Sequence, residues 1–255
     1  MMFGNIGKKS KTAVLVAVLT AACGFSAVAQ SAESSYYVSA NGSDGNNGLS
    51  EGTPFKTLAH AVGAAGKGAV KTITVLGTLK GNSAISNTGA AEILIRGKPD
   101  GEKAVLQGNG EGSVLRITGA AVIRLENVKI TGGSNSLGGG GVYIDEAVVT
   151  LGKGGEISGN EVPYGDYSCG GVYVLSGTFT MSGGEISGNT AENGGGVYIE
   201  NESDAAFTMT GGAISGNTAS GSGGGVYVTS GAAFTQGKGA VSGNAAKNGA
   251  DVFKE

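Results

Sequence analysis

The chain has 255 residues, of which 51 are glycine, three proline, one histidine and none tryptophan, and 40% are apolar. Its 17 basic residues stand against 20 acidic ones and form no cluster in the mature part, which argues against nucleic acid and anionic membranes as partners. A single histidine largely excludes His-based triads and His-rich metal sites, and the glycines lack the period of collagen.

Residues 1–29 read as a signal peptide. Lys8, Lys9 and Lys11 form a basic n-region, Ala13 to Ala22 is an apolar run of h-region length, and Ala27-Val28-Ala29 is a small-x-small cleavage site. The run is shorter than the about 20 apolar residues of a membrane span, so no transmembrane segment is expected after signal removal. Leu19-Thr20-Ala21-Ala22-Cys23 is also a loose lipobox, in which Cys23 is the lipidation site of a lipoprotein. Cleavage after Ala29 is preferred, because Thr20 sits where a tight lipobox has an aliphatic residue. Either route predicts export, to the medium or to the surface of a bacterium, with an outer-membrane lipoprotein as the product of the second. Without the three leader lysines the balance is 14 basic to 20 acidic residues, a net charge of −6, and Cys169 is the one cysteine left. No internal disulfide then stabilises the mature chain.

Residues 30–70 form an opening segment and cap. Thr57-Leu58-Ala59-His60-Ala61-Val62, after Thr53-Pro54-Phe55, is the one stretch that reads as helical, and it is expected to lie across the first coil as a lid over the edge. His60 falls in this lid, solvated or packed on the first coil. Asp44, Asn46 and Asn47 are turn formers before they are Ca²⁺ ligands.

Residues 71–255 repeat. Phe179-Thr180-Met181-Ser182-Gly183-Gly184-Glu185-Ile186-Ser187-Gly188-Asn189 leads through a Gly-rich turn to Gly196-Val197-Tyr198-Ile199, and the next unit runs Phe207 to Asn217 and closes on Gly225-Val226-Tyr227-Val228. The equivalent aliphatics Ile130, Ile157, Ile186, Ile214 and Val241 are 27, 29, 28 and 27 residues apart. Each unit holds three short strand-sized pieces with period-2 alternation between Gly, Ser and Asn turns. With no helix between them, these suit a coil whose strands pair with their equivalents one coil away, about 4.8 Å distant. The predicted fold is all-β, a right-handed parallel β-helix of about seven coils and about 30 to 35 Å length. Less regular strands at Thr72 to Leu76, Glu92 to Ile95, Ser113 to Ile117 and Val122 to Leu125 extend it backwards.

Stacking assigns the side chains. Val149, Phe179, Phe207 and Phe234 are expected in one inward row, Leu151, Met181 and Met209 in a second, and Val142, Val172, Val197 and Val226 in a third. Asn160, Asn189, Asn217 and Asn244 each fall three residues after the key aliphatic, as a structural amide ladder requires. In Gly-Val-Tyr-Ile the aliphatics point in and the tyrosine out. Tyr143, Tyr173, Tyr198 and Tyr227 are therefore expected as an exposed column ending in Phe253, a candidate binding face for sugars or proteins. Cys169 reads as an unpaired turn residue among Tyr164, Tyr167 and Tyr173. Arg116, Arg124, Glu126 and Lys129, continuing to Asp145 and Glu146, are the one charge-dense outward stretch, and Glu156 and Glu185 stack one coil apart. Solvated surface charge is the simpler reading of both.

Two resemblances attach to these residues. Tyr36-Tyr37-Val38-Ser39-Ala40-Asn41-Gly42-Ser43-Asp44-Gly45-Asn46-Asn47-Gly48, followed by Thr53-Pro54-Phe55-Lys56-Thr57, resembles the opening of secreted bacterial β-helix proteins of the pectate-lyase-like superfamily. That opening implies a fold position and no particular activity. Over residues 130 to 253, the alternation of Ile-Ser-Gly-Asn with Gly-Gly-Val-Tyr is similar to the repeats of chlamydial polymorphic outer membrane proteins. Ile186 and Ile214 stand where that family has Phe, and the implication is adhesion at a bacterial surface.

The expected function is a non-enzymatic surface or secreted module that binds a polysaccharide or protein at a cell surface, with no cofactor and no catalytic or metal residues. The alternative is a polysaccharide lyase or glycosidase acting on acidic polysaccharide. The lyase relatives imply Ca²⁺ held by outward carboxylates and an Arg or Lys base, for which Arg124 and Lys129 are the nearest residues. A purely architectural spacer is the third reading.

Overall fold

A computed structural model describes residues 35–65, 71–86, 88–89, 92–135, 138–162, 169–202 and 204–255. Residues 1–29, read from the sequence as a signal peptide, and Cys23 lie outside the described residues, as do Tyr164 and Tyr167. The chain is an all-β parallel solenoid of about six turns, with one short helix among the described residues, near the N-terminal side. Every strand pair is parallel, and the pairs join equivalent residues of neighbouring coils.

Three faces recur in each coil. On the Phe face, Ile93, Ile123, Val149, Phe179, Phe207 and Phe234 pair in register, and the rings of Phe179 and Phe207 stack with centroids 5.1 Å apart. Beside them run Ile73, Ile95, Leu125, Leu151, Met181 and Met209. On the Ile face stand Leu79, Leu106, Ile130, Ile157, Ile186, Ile214 and Val241. The third, Tyr-bearing face is a sheet of seven strands, from Ser83–Ser86 to Val252–Lys254. Val142, Val172, Val197 and Val226 point inward there and are fully buried. A short fourth piece follows the asparagine from Glu161–Val162 onward. Rows of this kind pack because the strand period of two sends alternate side chains to one side, and the one-coil translation sets like against like.

The corners depend on glycine at a few places. Gly177–Ser187 and Ala206–Ser215 run through the bend between the Phe and Ile faces and join both into one sheet. The bends fall at Gly184 (φ +74°) and Gly212 (φ +86°), which an L side chain adopts only with strain. At Gly196, a Cβ would lie 2.6 Å from the Gly225 carbonyl oxygen of the next coil.

The lid is the helix Leu58–Ala65, with Leu58, Ala61, Val62 and Ala65 buried. Thr57 caps it, its Oγ1 accepting the His60 N–H at 3.2 Å. Asp44 braces the cap: Oδ1 accepts the N–H groups of Lys56 and Thr57 at 2.9 Å, and Oδ2 accepts the Thr57 hydroxyl at 2.8 Å. Desolvation raises the Asp44 pKa, but these hydrogen bonds outweigh it and hold it below the ordinary value. The Asn46 amide donates to the Pro54 carbonyl and Asn47 Oδ1 accepts the Leu49 N–H, so the three polar residues of the opening loop act as turn braces. His60 is exposed, its ring 4.6 Å from that of Phe55.

Candidate functional site

The four asparagines are at most 8% exposed and are linked along the stack. Asn189 Oδ1 accepts both the backbone N–H (3.1 Å) and the side-chain amide (2.9 Å) of Asn160, while its own amide donates to the Ile157 carbonyl and to Asn217 Oδ1, each at 2.9 Å. Asn217 repeats this geometry onto Asn244. At one end Asn160 Oδ1 accepts the Gly133 N–H at 3.0 Å. At the other, Asp251 Oδ1 takes the place of a further asparagine, accepting the N–H and amide of Asn244 at 3.1 and 3.0 Å.

The aromatic column stands on the side of its strands opposite the valines, but it is not exposed. Tyr143, Tyr173, Tyr198 and Tyr227 are 7, 4, 4 and 9% exposed and form a second apolar cluster with Cys169. The reason is geometric. Neighbouring rings are 5.7, 5.3 and 4.6 Å apart and within 17° of parallel, so each inner ring has both faces covered by its neighbours. The Gly-rich turns cover the flank: a Cβ on Gly194 would lie 2.8 Å from that of Tyr198, and one on Gly223 equally close to that of Tyr227. A ligand thus finds no open ring face along the column, and the expectation of an exposed Tyr surface is corrected to a covered packing stack. Phe253 continues the column, tilted 33° to Tyr227 at 5.0 Å and partly buried.

The hydroxyls are tied down as well. Tyr173 donates to Glu200 at 2.8 Å and Tyr227 to Glu255. Burial, then these carboxylates, push both phenols up, Tyr227 to about 12. Burial also raises the Tyr143 phenol, opposed by Arg116, whose guanidinium carbon sits 4.2 Å from the Tyr143 ring centroid. Cys169 is fully buried, with Sγ 3.1 Å from the Val172 carbonyl, and burial raises its thiol pKa far above the ordinary range.

The charge-dense stretch does not converge on one place. Arg116 and Asp145 belong to the Tyr face, Arg124 and Glu126 to the Phe face, and Lys129 to the Ile face. Arg124 pairs with Glu126 at 2.7 Å. Lys129 and Lys103 both pair with Glu156, at 2.9 and 2.6 Å, and Ser158 donates to it as well. Burial raises the Glu156 pKa, but these three partners bring it down to about 2. Glu156 does stack on Glu185, already neutralised by two lysines. Among the described residues no three His, Cys, Asp or Glu side chains group as metal ligands, and no helix is long and apolar enough to cross a membrane.

An outward surface that sequence reasoning overlooked lies on the Phe face. Thr150, Thr180, Thr208 and Thr235 pair in register, and beside them run Val148, Thr178, Ala206 and Ala233. Val148 is 43% exposed. The eight positions carry no charge and form a grid spaced about 4.8 Å along the axis and about 6.6 Å across it. The signal was present in the recurring Phe-Thr-Met, whose middle residue must face out if Phe and Met face in.

The fold and its rows define the protein as a parallel β-solenoid. Comparison with protein-family models, with curated proteins and with solved structures finds no match.

Proposed function

We propose that the protein is an exported, non-catalytic β-solenoid that binds a polysaccharide or protein at a cell surface. The observation that carries this reading is the uncharged Thr/Ala/Val grid on the Phe face. Soluble surfaces normally intersperse charges of both signs, and these eight outward positions carry none. Threonine offers a methyl group and a hydroxyl that both donates and accepts, which suits contact with sugars or backbone and supplies no acid or base near neutral pH. The leader sequence supports export, and the similarity of the repeats to chlamydial polymorphic outer membrane proteins supports adhesion. Arg124 and Lys129, the bases a lyase of the pectate-lyase-like superfamily would need, are each engaged by a carboxylate, which weighs against the enzymatic alternative.

The test is Thr180→Lys together with Thr208→Lys, measured by adhesion to whole cells and to glycan arrays. Both positions point outward, so the circular dichroism of the rod is expected to be unchanged while binding is lost. Binding equal to the parent's would remove the grid from consideration. Turnover of polygalacturonate with added Ca²⁺, abolished by Arg124→Ala or Lys129→Ala, would replace this reading with the lyase.

A further inference from the structure

The aromatic column is continuous at its C-terminal end and interrupted at the other. In register along the Tyr face stand Ala84, Arg116, Tyr143, Tyr173, Tyr198, Tyr227 and Phe253. Arg116 is the next planar group after Tyr143, its guanidinium carbon 4.2 Å from the ring centroid. One coil further, exposed Ala84 supplies only a methyl group where the row would place another ring. Beside it is a cavity of about 320 Å³, whose walls include Asn82, Ala84, Gly112, Ser113, Arg116 and Asn135.

Three features define what fits there. The volume lies at the small end of the about 300 to 1,000 Å³ of ligand pockets, enough for one ring-bearing group. Arg116 is the one charged residue of the lining, and the ion pairs among the described residues do not include it. A guanidinium with one face on a ring attracts a second ring to its other face, because the negative face of the π-system points at the cation. The rest of the rim is amide and hydroxyl: Ser113 Oγ donates to the Gly139 carbonyl at 2.6 Å and accepts the Asn135 amide at 3.0 Å, and Asn82 Oδ1 accepts the Asn109 N–H. The rim is therefore polar and, Arg116 apart, uncharged, while the net charge of −6 in the mature chain repels a nucleobase carried on phosphates and leaves the aromatic side chains of a polypeptide as the ring source.

We propose that the slot above Arg116 receives an aromatic side chain, indole or phenol, of a partner polypeptide, which completes the stack by sandwiching the guanidinium against Tyr143. The site lies on a different face from the Thr grid. It shares with the proposed function only the premise of a binding partner, and it can be tested without one.

The chain contains no tryptophan, so all indole fluorescence comes from the N-acetyltryptophanamide probe, free and bound, and none from the protein. Titration of the full mature chain is expected to give a saturable change in probe emission. Arg116→Ala, at an exposed position, is expected to weaken binding about three- to thirtyfold, the range a cation–π contact produces. Ala84→Phe should fill the slot from within and abolish probe binding, with circular dichroism and thermal midpoint at least at parental values. Competition by N-acetylleucinamide with an affinity equal to the probe's would show a merely apolar hollow, and displacement of the probe by millimolar acetate at constant ionic strength would show a carboxylate site. Either result overturns the proposal, as does unchanged binding in Arg116→Ala. Loss of cell adhesion on charging the Thr grid, with probe binding intact, separates the two sites.

Discussion

Replacing Asn189 by alanine tests whether the amide ladder holds neighbouring coils together. Asn189 is fully buried and takes part in four side-chain hydrogen bonds, two received from Asn160 and two donated to Ile157 and Asn217. The truncation does not orphan every partner. The Asn160 amide keeps the Ile130 carbonyl, and Asn217 Oδ1 keeps the Asn189 backbone N–H. The Asn160 N–H, by contrast, loses its acceptor, and the Ile157 carbonyl loses one donor. A buried donor without a partner costs about 1 to 3 kcal/mol, and the space left by the amide costs further contacts, so a loss of about 3 kcal/mol is expected. Asn189→Asp should cost more. It keeps the acceptor oxygen, but it sets a second carboxylate oxygen against the Ile157 and Asn217 oxygens and buries an unpaired charge. Urea unfolding followed by far-UV circular dichroism reads both variants, with the slope checked against the parent because solenoids can lose cooperativity. A loss below about 0.5 kcal/mol for Asn189→Ala, within the spread of inert surface changes, would refute the view that the ladder joins the coils.

Three further outcomes are expected. Glu156 has a folded pKa depressed to about 2 from 4.5, so its contribution is fully present above pH 4.5 and is lost as pH falls toward 2; Glu156→Gln should flatten acid unfolding in that window and lower neutral-pH stability by about 1 kcal/mol, the scale of a well-made surface network. Tyr227 has a folded pKa raised to about 12 from 10, so its stabilisation is intact below pH 10 and disappears as pH rises through 12; phenolate absorbance should show this late-titrating group, and Tyr227→Phe should remove it. Asp251 stands where other coils have Gly225, Gly196 and Gly171, yet restoring the repeat with Asp251→Gly should destabilise by about 1 to 3 kcal/mol through loss of a charged acceptor, while Asp251→Asn stays near the parent, both read from urea midpoints.

The register of the rod was legible because its rows are translational. A core position that recurs every 27 to 29 residues identifies its partners, and alternation then assigns Val149, Phe179 and Phe207 to the inside. The direction of Tyr198 followed from the same rule, but its exposure did not. Alternation reports which side of a strand a residue leaves from, and says nothing of whether that side is open. Covering depends on ring-to-ring distance and on the path of the turn before the strand, and Gly194 brings that turn against the Tyr198 Cβ. Residues that interrupt a pattern were also hard to read. Arg116 looked like one of six surface charges, because the row that makes it the neighbour of Tyr143 becomes visible only once Leu115–Thr118 is paired with Val142–Asp145. The strand Ser83–Ser86, which sets Ala84 above Arg116, lies among small and polar residues with a single buried aliphatic, Ile85.

A solenoid directs attention to the ends of its rows. Within a row each group is satisfied by its copies in the neighbouring coils: ring faces by rings, amides by amides, aliphatics by aliphatics. Little binding capacity is left over, which is why the middle of the Tyr column is a poor site despite its composition. The copies run out at the first and last coil of each row, and the terminal group needs a residue of another kind. Asp251 answers that need for the amide ladder by supplying an acceptor with no donor of its own, so the ladder does not continue beyond it. Arg116 answers it for the rings in the opposite sense. Its guanidinium carbon lies 4.2 Å from the Tyr143 ring centroid, and in the next coil the row offers only Ala84, which is where the proposed partner ring would sit. The same logic sets the Thr grid apart. Its hydroxyls and methyl groups point away from the stack, so repetition multiplies them into an area without using them up.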